Sequence, residues 1–479
     1  MRIVYNRAAI EQRVKMREFG VIILAAGQGT RMQSDVPKVL HRLGGKPLFL
    51  HVLKMAQVFE PKRIAVVVGH GADAVMQAYG GSDVGWVTQE KQLGTAHAVL
   101  SARKSFDEFD GDILILNGDV PLIPKRVIAT MLQRHREENA ALTVMTAVLD
   151  NPTGYGRILR VHGGALSRVV EEKDATAEQR RIHEVNAGAY LARRDFLFKA
   201  LEAVRNDNRQ GEYYLPDIIG IGLGGGSKIT TVQVEDPSEI MGINSRQELA
   251  RMEKTLRERI NEKWMETGVT LKDPETVYID EGVTIGRDTV IGPNTQLCGR
   301  TVIGERCRID GSTYVMDCEI GNNVHLLFSV VLMSSQVEQG ASIGPFAHLR
   351  PGSALAANVH IGNFVETKAA KIGPGTKASH LTYLGDCTIG RDTNIGAGTI
   401  TCNYDGFQKY KTQIGDRVQV GSDSTLVAPV SLGDDVYVAT ASTVRHDVPA
   451  GALVYNDRQE RVREGWTEQK RNKMKGVKK

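Results

Sequence analysis

The chain has 479 residues, 41% of them hydrophobic, and a formal net charge of +4 at pH 7. That length excludes a single ordinary core and asks for two or three domains. So small a charge neither demands nor excludes a nucleic-acid partner, and phosphorylated small molecules need only local cations. The cysteines, at 298, 307, 318, 387 and 402, make no CxxC pair and leave an odd one over. This argues against a disulfide framework or a structural zinc site and fits a reducing, cytoplasmic setting. No run approaches the roughly 18 apolar residues of a membrane span, so no membrane partner is expected.

Residues 1–19 scatter arginines and glutamates through their apolar positions, unlike a secretory signal, and are read as an N-terminal extension. From 20 to 244, apolar runs such as VIILAAG, RIAVVVG, DILILNGD and ALTVMTAV alternate with amphipathic stretches such as PLFLHVLKMAQVF. That alternation predicts an α/β domain around a mostly parallel sheet. In such sheets ligands bind beyond the carboxyl ends of the strands, where VIILAAG and DILILNGD both deliver glycines. From 245 to 268, Ser245 with Glu248 forms a capping box, and Leu249, Met252, Leu256, Ile260 and Trp264 recur at helical spacing. This predicts one linking helix, roughly 30 Å long.

From 269 to 456 the period becomes six. Ile285, Ile291, Leu297, Ile303 and Ile309 step evenly, and after an interruption so do Ile414, Val420, Leu426, Leu432, Val438 and Val444. A hexapeptide repeat stacks short strands into a triangular parallel β-helix with each aliphatic residue pointing inward, here for roughly ten coils. The breaks at SHLTYLGDC and TITCNYDGFQKYKTQ are read as loops that leave the prism and carry function. The basic end, 457–479, is read as a solvated tail rather than a nucleic-acid site.

In LAAGQGTRM a glycine turn after a buried strand presents bare backbone N–H groups that an anion can approach, although such turns also occur without any ligand. Arg31, and Lys38 seven residues on, add the cations that a merely structural turn does not need. In NGDVPL, Asp119 at the end of the next apolar strand suits Mg²⁺, which takes one or two carboxylates plus phosphate oxygens; by itself it also suits a turn cap. In SHLTYLG, His380 is a candidate base for an amine, histidine being suited to that role near neutral pH. Taken alone, a histidine is more often a satisfied structural group. Its company of Arg350, Lys368, Tyr383 and Asn394 points to a sugar phosphate held between cations.

These motifs, together with QLGTAHA, GYGRI, VEEKDA, GEYYLPD and GINSR in order, closely resemble bacterial N-acetylglucosamine-1-phosphate uridylyltransferases. GNFVETK, SHLTYLGD, NIGAGTITCNYDG and VGSD resemble the glucosamine-1-phosphate acetyltransferase half of the same bifunctional family. The likeness spans about 20–456. It implies an α/β Rossmann-like nucleotidyltransferase domain followed by a left-handed parallel β-helix, the handedness resting on the resemblance alone. It implies that Leu24, Ala25, Ala26, Gly27, Gln89, Gly94 and Thr95, with Asn117 and Gly118, hold the uridine nucleotide, and that Arg31 and Lys38 neutralise its triphosphate. Gly156, Glu171, Asn186 and Asn244 would contact the sugar, and Asp119 with Asn244 would hold Mg²⁺. In the second half, Arg350, Lys368, Tyr383 and Asn394 would bind the amino sugar phosphate and Glu366 would orient His380. Ala397, Asn403, Tyr404, Ser422, Thr440 and Arg458 would line acetyl-CoA. Two places depart from the family pattern: Thr440 stands where an alanine is usual, and the last arginine region reads YNDRQE.

Family members are homotrimers acting on UTP, acetyl-CoA and the two sugar phosphates. Two other readings fit the repeat domain, a regulatory β-helix on a single-activity sugar nucleotidyltransferase and a bare oligomerisation scaffold. The content of its loops, His380 with Asn403 and Tyr404, separates the bifunctional reading from both.

Overall fold

A computed structural model describes residues 18–161, 163–457 and 459–476. The expected extension therefore lies outside the described residues except for Glu18 and Phe19, and Phe19 already opens the first strand. The chain divides into two compact units, Met1–Leu256 and Arg257–Lys479, with the division inside the helix Arg246–Glu266.

The first unit is built on a sheet whose strands run in the order Ile229–Val234, Leu142–Val148, Glu184–Arg193, Asp112–Asn117, Phe19–Ala25, Arg63–Val68, Gly85–Thr88. Alternate residues of its strands enter two cores. Val21, Ile23, Val66 and Leu114 pack beneath helices Leu48–Gln57 and Lys125–Glu137, while Ile22, Ala65, Val67 and Ile115 pack beneath Thr95–Ser101 and Arg194–Ala203. Both faces are covered, which is why these strands read as unbroken apolar runs. Phe19–Ala25 pairs in parallel with Arg63–Val68 on one side and Asp112–Asn117 on the other, so the connections diverge between the first and last of these. That switch point opens a crevice at the strands' carboxyl ends.

Antiparallel pairing enters this sheet through Glu184–Arg193, which is antiparallel to Leu142–Val148, Asp112–Asn117 and Arg157–Arg160, the last being antiparallel to Leu166–Val170 in turn. The register of Glu184–Arg193 with Leu142–Val148 shifts between Asn186 and Tyr190. The capping box forms as expected: the Glu248 carboxylate accepts from Ser245 N–H at 2.9 Å and Ser245 Oγ from Glu248 N–H at 3.2 Å.

The second unit is a parallel β-helix of three sheets, with 11, 10 and 9 strands. We call their outer surfaces faces one, two and three, in the order in which each coil visits them. Ile291, Leu297, Ile303 and their successors are buried as expected. The apparent break at SHLTYLGDC does not leave the prism: Lys377–His380, Tyr383–Gly385 and Cys387–Ile389 are strands of faces one, two and three. Its coil is only shortened, since Ile372 pairs with Ile389 seventeen residues on. The inward residues Ala378, Leu384 and Ile389 continue the repeat there, the last after a step of five, while on face two the inward positions one coil earlier and one coil later are the fully buried Thr367 and Thr401. Thr401 is tolerated because its Oγ1 donates to Gly385 O at 3.1 Å and accepts from Gly385 N–H at 2.8 Å. Only the second break is an excursion: Ile389 pairs with Ile414, and the extra residues form a hairpin closed by a Tyr404–Lys409 bridge. The tail contains a helix, Trp466–Gly476, exposed from Trp466 to Lys475.

Candidate active sites

In the first unit the glycine turn is fixed by sterics. Gly29 has φ 63°, and a Cβ there would stand 2.5 Å from Lys38 Cβ, so glycine is what lets the turn close over the Lys38 stem. Lys38 opens a 3₁₀ turn, Asp119 follows the Asp112–Asn117 strand, and Asn244 precedes the capping box. The Lys38 ammonium is ion-paired with Asp119 and donates to Asn244 Oδ1 at 2.9 Å, with the Lys38 and Asp119 side chains 13% and 19% exposed. Three distant segments thus converge on one point in the crevice.

Around it lie two adjoining cavities. The larger, about 400 Å³, is lined by Leu24, Ala26, Gly27, Lys38, Gln89, Gly94, Thr95, Asn117 and Asp119. The QLGTAHA segment is held there by GEYYLPD: Tyr213 O accepts from Ala96 N–H at 2.9 Å, and Thr95 Oγ1 accepts from Leu215 N–H at 3.0 Å. The smaller, about 190 Å³, shares Leu24, Thr95, Asn117 and Asp119 and adds Gly156, Glu171, Asn186 and Asn244. Its wall uses the irregular strand: Asn186 Nδ2 donates to Tyr190 OH at 2.5 Å and Asn186 Oδ1 accepts from Gly188 N–H at 3.2 Å. Such irregularities re-aim side chains beside sites. The Gly154–Tyr155–Gly156 loop is tied down from behind by the buried Arg157, which bonds Glu172 at 2.7 Å and Tyr155 O, while Glu172 accepts from Gly154 N–H at 3.2 Å.

Burial, then the nearby Asp217, Asp174 and Glu212 carboxylates, push Glu171 up to about 7 against the opposing pull of Arg157. Tyr190, fully enclosed with Glu171 beside it, is held well above the ordinary tyrosine range by burial first.

Three of the expected nucleotide residues stand apart from these linings. Ala25 is buried in the core, Gly118 packs against the end of the first strand with its N–H bonded to Leu24 O at 2.9 Å, and Arg31 is exposed. Conversely, the linings include Gln92, whose Nε2 donates to Ala26 O at 2.7 Å, together with Glu212, Tyr155 and Tyr190. Glu212 lies within GEYYLPD and Tyr155 within GYGRI, so the motifs held the signal. Tyr190 lies in none of these motifs.

In the second unit, face two carries Glu366 and Tyr383 as register partners, with Arg350 and Lys368 in the neighbouring column. Arg350 donates to Glu366 Oε1 at 2.8 Å. His380 is exposed at the vertex between faces one and two, and its Nδ1 bonds Asn363 Oδ1 at 2.6 Å. The expected orientation of His380 by Glu366 is therefore corrected: Arg350 holds Glu366, and Asn363, one coil earlier, holds the imidazole.

The pairing of Ala378 with Ile395, Ile395 with Val420 and Val420 with Val438 sets His380, Ala397, Ser422 and Thr440 at one register along this vertex. Asn403 and Tyr404 lie at the other end of face two, at the base of the hairpin, where Asn403 Nδ2 bonds Asp386 and Lys368 Nζ stands 3.8 Å from the same carboxylate. Asn394 lies on face one, between Lys377 and Gln419. One chain thus does not gather all the expected acetyl-site residues in one place. Arg458 lies outside the described residues.

Residues 21–211 match the MobA-like NTP transferase domain family, and residues 282–317 match the bacterial transferase hexapeptide (six repeats). The chain is 46% identical over 452 residues to the bifunctional protein GlmU of Pelobacter propionicus, covering 94% of this chain and 98% of that one. It is 47% identical over 452 residues to GlmU of Geotalea uraniireducens, covering 94% and 99%. With GlmU of Geobacter sulfurreducens it shares 46% identity over 475 residues, covering 95% and 100%. Carrying both domain types in this order, and matched along nearly its whole length, the chain belongs to the GlmU family of bifunctional proteins.

Proposed function

We propose that the chain acetylates glucosamine 1-phosphate from acetyl-CoA and then couples the product to UTP, yielding UDP-N-acetylglucosamine and pyrophosphate. The observation that carries this reading is the presence, on one chain, of two unlike constellations in separate units. One is a cation–carboxylate crevice at a sheet switch point, and the other a histidine exposed at a vertex of a β-helix whose adjoining face carries two cations.

In the first unit a sugar-phosphate oxygen attacks the α-phosphorus of UTP and the bond to the departing pyrophosphate breaks. Such transfer asks a protein for alignment and charge neutralisation, with no side-chain nucleophile. Lys38 and Arg31 supply positive charge, the turn around Gly27 supplies bare backbone, and Glu171 and Asn186 orient the sugar in the smaller cavity.

The donor set suits Mg²⁺. Asp119 and Asn244 present one carboxylate and one amide oxygen to a common point that the Lys38 ammonium now fills, and Mg²⁺ commonly takes one or two protein oxygens with phosphate oxygens and water. Mg²⁺ bound there supplies neutralisation of the triphosphate.

In the second unit the substrate ammonium first loses a proton. Its amine then attacks the thioester carbonyl of acetyl-CoA, His380 Nε2 takes the proton that the nitrogen sheds, the C–S bond breaks, and the imidazolium returns that proton to the CoA sulfur, which leaves as thiol. Arg350 and Lys368 clamp the phosphate while Tyr383 donates to the sugar. Ala397, Ser422 and Thr440 line the CoA chain along the vertex.

The dispersal of Asn394 and of Asn403 with Tyr404 over other parts of the prism supports sites completed by neighbouring copies, and we read the assembly as a homotrimer. A cytoplasmic setting accords with these substrates. No helix among the described residues is long and apolar enough to cross a membrane.

The direct test supplies purified protein with glucosamine 1-phosphate, acetyl-CoA, UTP and Mg²⁺ and identifies products by mass. UDP-N-acetylglucosamine, CoA and pyrophosphate are expected, the first two reactants being consumed one to one. UDP-sugar formed only from pre-acetylated substrate would reduce the chain to one activity.

A further inference from the structure

We propose that Asn363 is the positioning residue of the acetyl site, fixing the His380 tautomer that leaves Nε2 as the base. The inference rests on the acetyl-transfer reading above and adds the residue through which the imidazole is set. Asn363 Oδ1 accepts from His380 Nδ1–H at 2.6 Å, and a ring nitrogen so bonded leaves its partner unprotonated in the neutral imidazole.

The pair is built into the backbone. Asn363 and His380 are register partners on adjacent coils, and Leu381 N–H donates to Asn363 O at 3.0 Å. The neighbouring Gly362 admits no side chain, because a Cβ would lie 1.9 Å from Ser379 O. The two strands are therefore in close backbone contact directly beside the Asn363–His380 pair.

The choice of an amide has a chemical consequence. A carboxylate at this place stabilises the imidazolium and makes the base more basic, whereas an amide orients the ring without adding charge. The titratable groups around His380 add no net negative charge. Face one presents His360 and Lys377, and face two presents Tyr383, Lys368 and a Glu366 already neutralised by Arg350. His360 is itself held below its usual value by burial, then by Lys377 and His380.

The test compares wild type, Asn363→Ala and Asn363→Asp in acetyl transfer to glucosamine 1-phosphate across pH 5.5–9, with thermal unfolding of each. Asn363→Ala is expected to lower kcat by about tenfold to a hundredfold with KM for both substrates within about twofold. Asn363→Asp, nearly isosteric, is expected to move the acidic limb of the kcat profile up by about one pH unit, so that activity lost at pH 6.5 returns at pH 8.5. If Asn363→Ala unfolds, the Asp variant alone decides. An unmoved limb in a folded Asn363→Asp protein, or an unchanged kcat in a folded Asn363→Ala protein, overturns the assignment. Absence of acetyl transfer by the wild type overturns instead the reading on which it rests.

Discussion

Lys38 is shared between Asp119 and Asn244, so removing its ammonium leaves a carboxylate and an amide oxygen facing each other without a cation. Lys38→Ala is expected to lower kcat/KM for uridylyl transfer about a hundredfold, the scale of losing one charged donor from a phosphate-transfer site, and to leave acetyl transfer unchanged. Steady-state assays of both reactions on one preparation check this, and an equal fall in both would contradict it.

Glu171 makes a pH prediction at the same scale. Burial raises its carboxyl to about 7 from 4.5. Between those values the folded state holds a proton that the unfolded chain has released, so stability of the ligand-free first unit falls as pH rises through this window. The upper bound is about 3 kcal/mol, at about 1.4 kcal/mol per unit. Glu171→Gln is expected to abolish most of that slope in thermal unfolding followed from pH 5 to pH 8. A slope equal to wild type would refute the assignment of the raised carboxyl.

Among the elements, the β-helix shows what sequence periodicity reveals and what it hides. Aliphatic inward residues such as Ile291 and Val438 declared the prism at once, because each turn buries one of them. Thr367 and Thr401 fill inward positions without declaring it, being polar residues satisfied by bonds that only stacking creates. Thr401→Val keeps the shape but leaves Gly385 N–H without its acceptor inside the prism, at a cost of about 1–3 kcal/mol. A lowered unfolding temperature, with weaker binding of the amino sugar phosphate through Tyr383 on the same strand, is the expected result. Unchanged stability would mean that the N–H finds another partner.

The same logic explains the site residues. Lys38, Asp119 and Gly94 sit in short local motifs and were legible. Asn363 orients a histidine one coil later, and Arg350 captures Glu366 sixteen positions on, pairings that depend on coil length. Tyr190 lines the smaller cavity from a strand that runs antiparallel and slips register. The hairpin around Tyr404–Lys409, with Phe407 93% exposed, has no packing role of its own. Replacing 405–408 by a short glycine turn is expected to raise KM for acetyl-CoA about tenfold while leaving unfolding unchanged. Kinetics and calorimetry together decide, and an unaltered KM would remove the hairpin from the CoA site.

At the scale of the whole molecule, the chain forms two compact units, and the reading proposed above gives each its own chemistry and stands on their independence. The sequence's own division at 244, 268 and 456 follows changes of pattern, whereas contact divides the chain inside the helix. The reason is physical: Leu256 packs against Gly44 in the first unit, while Asn261 Nδ2 bonds Pro274 O and Val277 O in the second. The measurement that tests the central claim most directly assays Asp119→Ala and His380→Ala for both reactions, each on a single preparation. Asp119→Ala is predicted to lose uridylyl transfer and retain acetyl transfer, and His380→Ala the reverse. Loss of both activities in either folded variant, or of neither in both, would contradict the account.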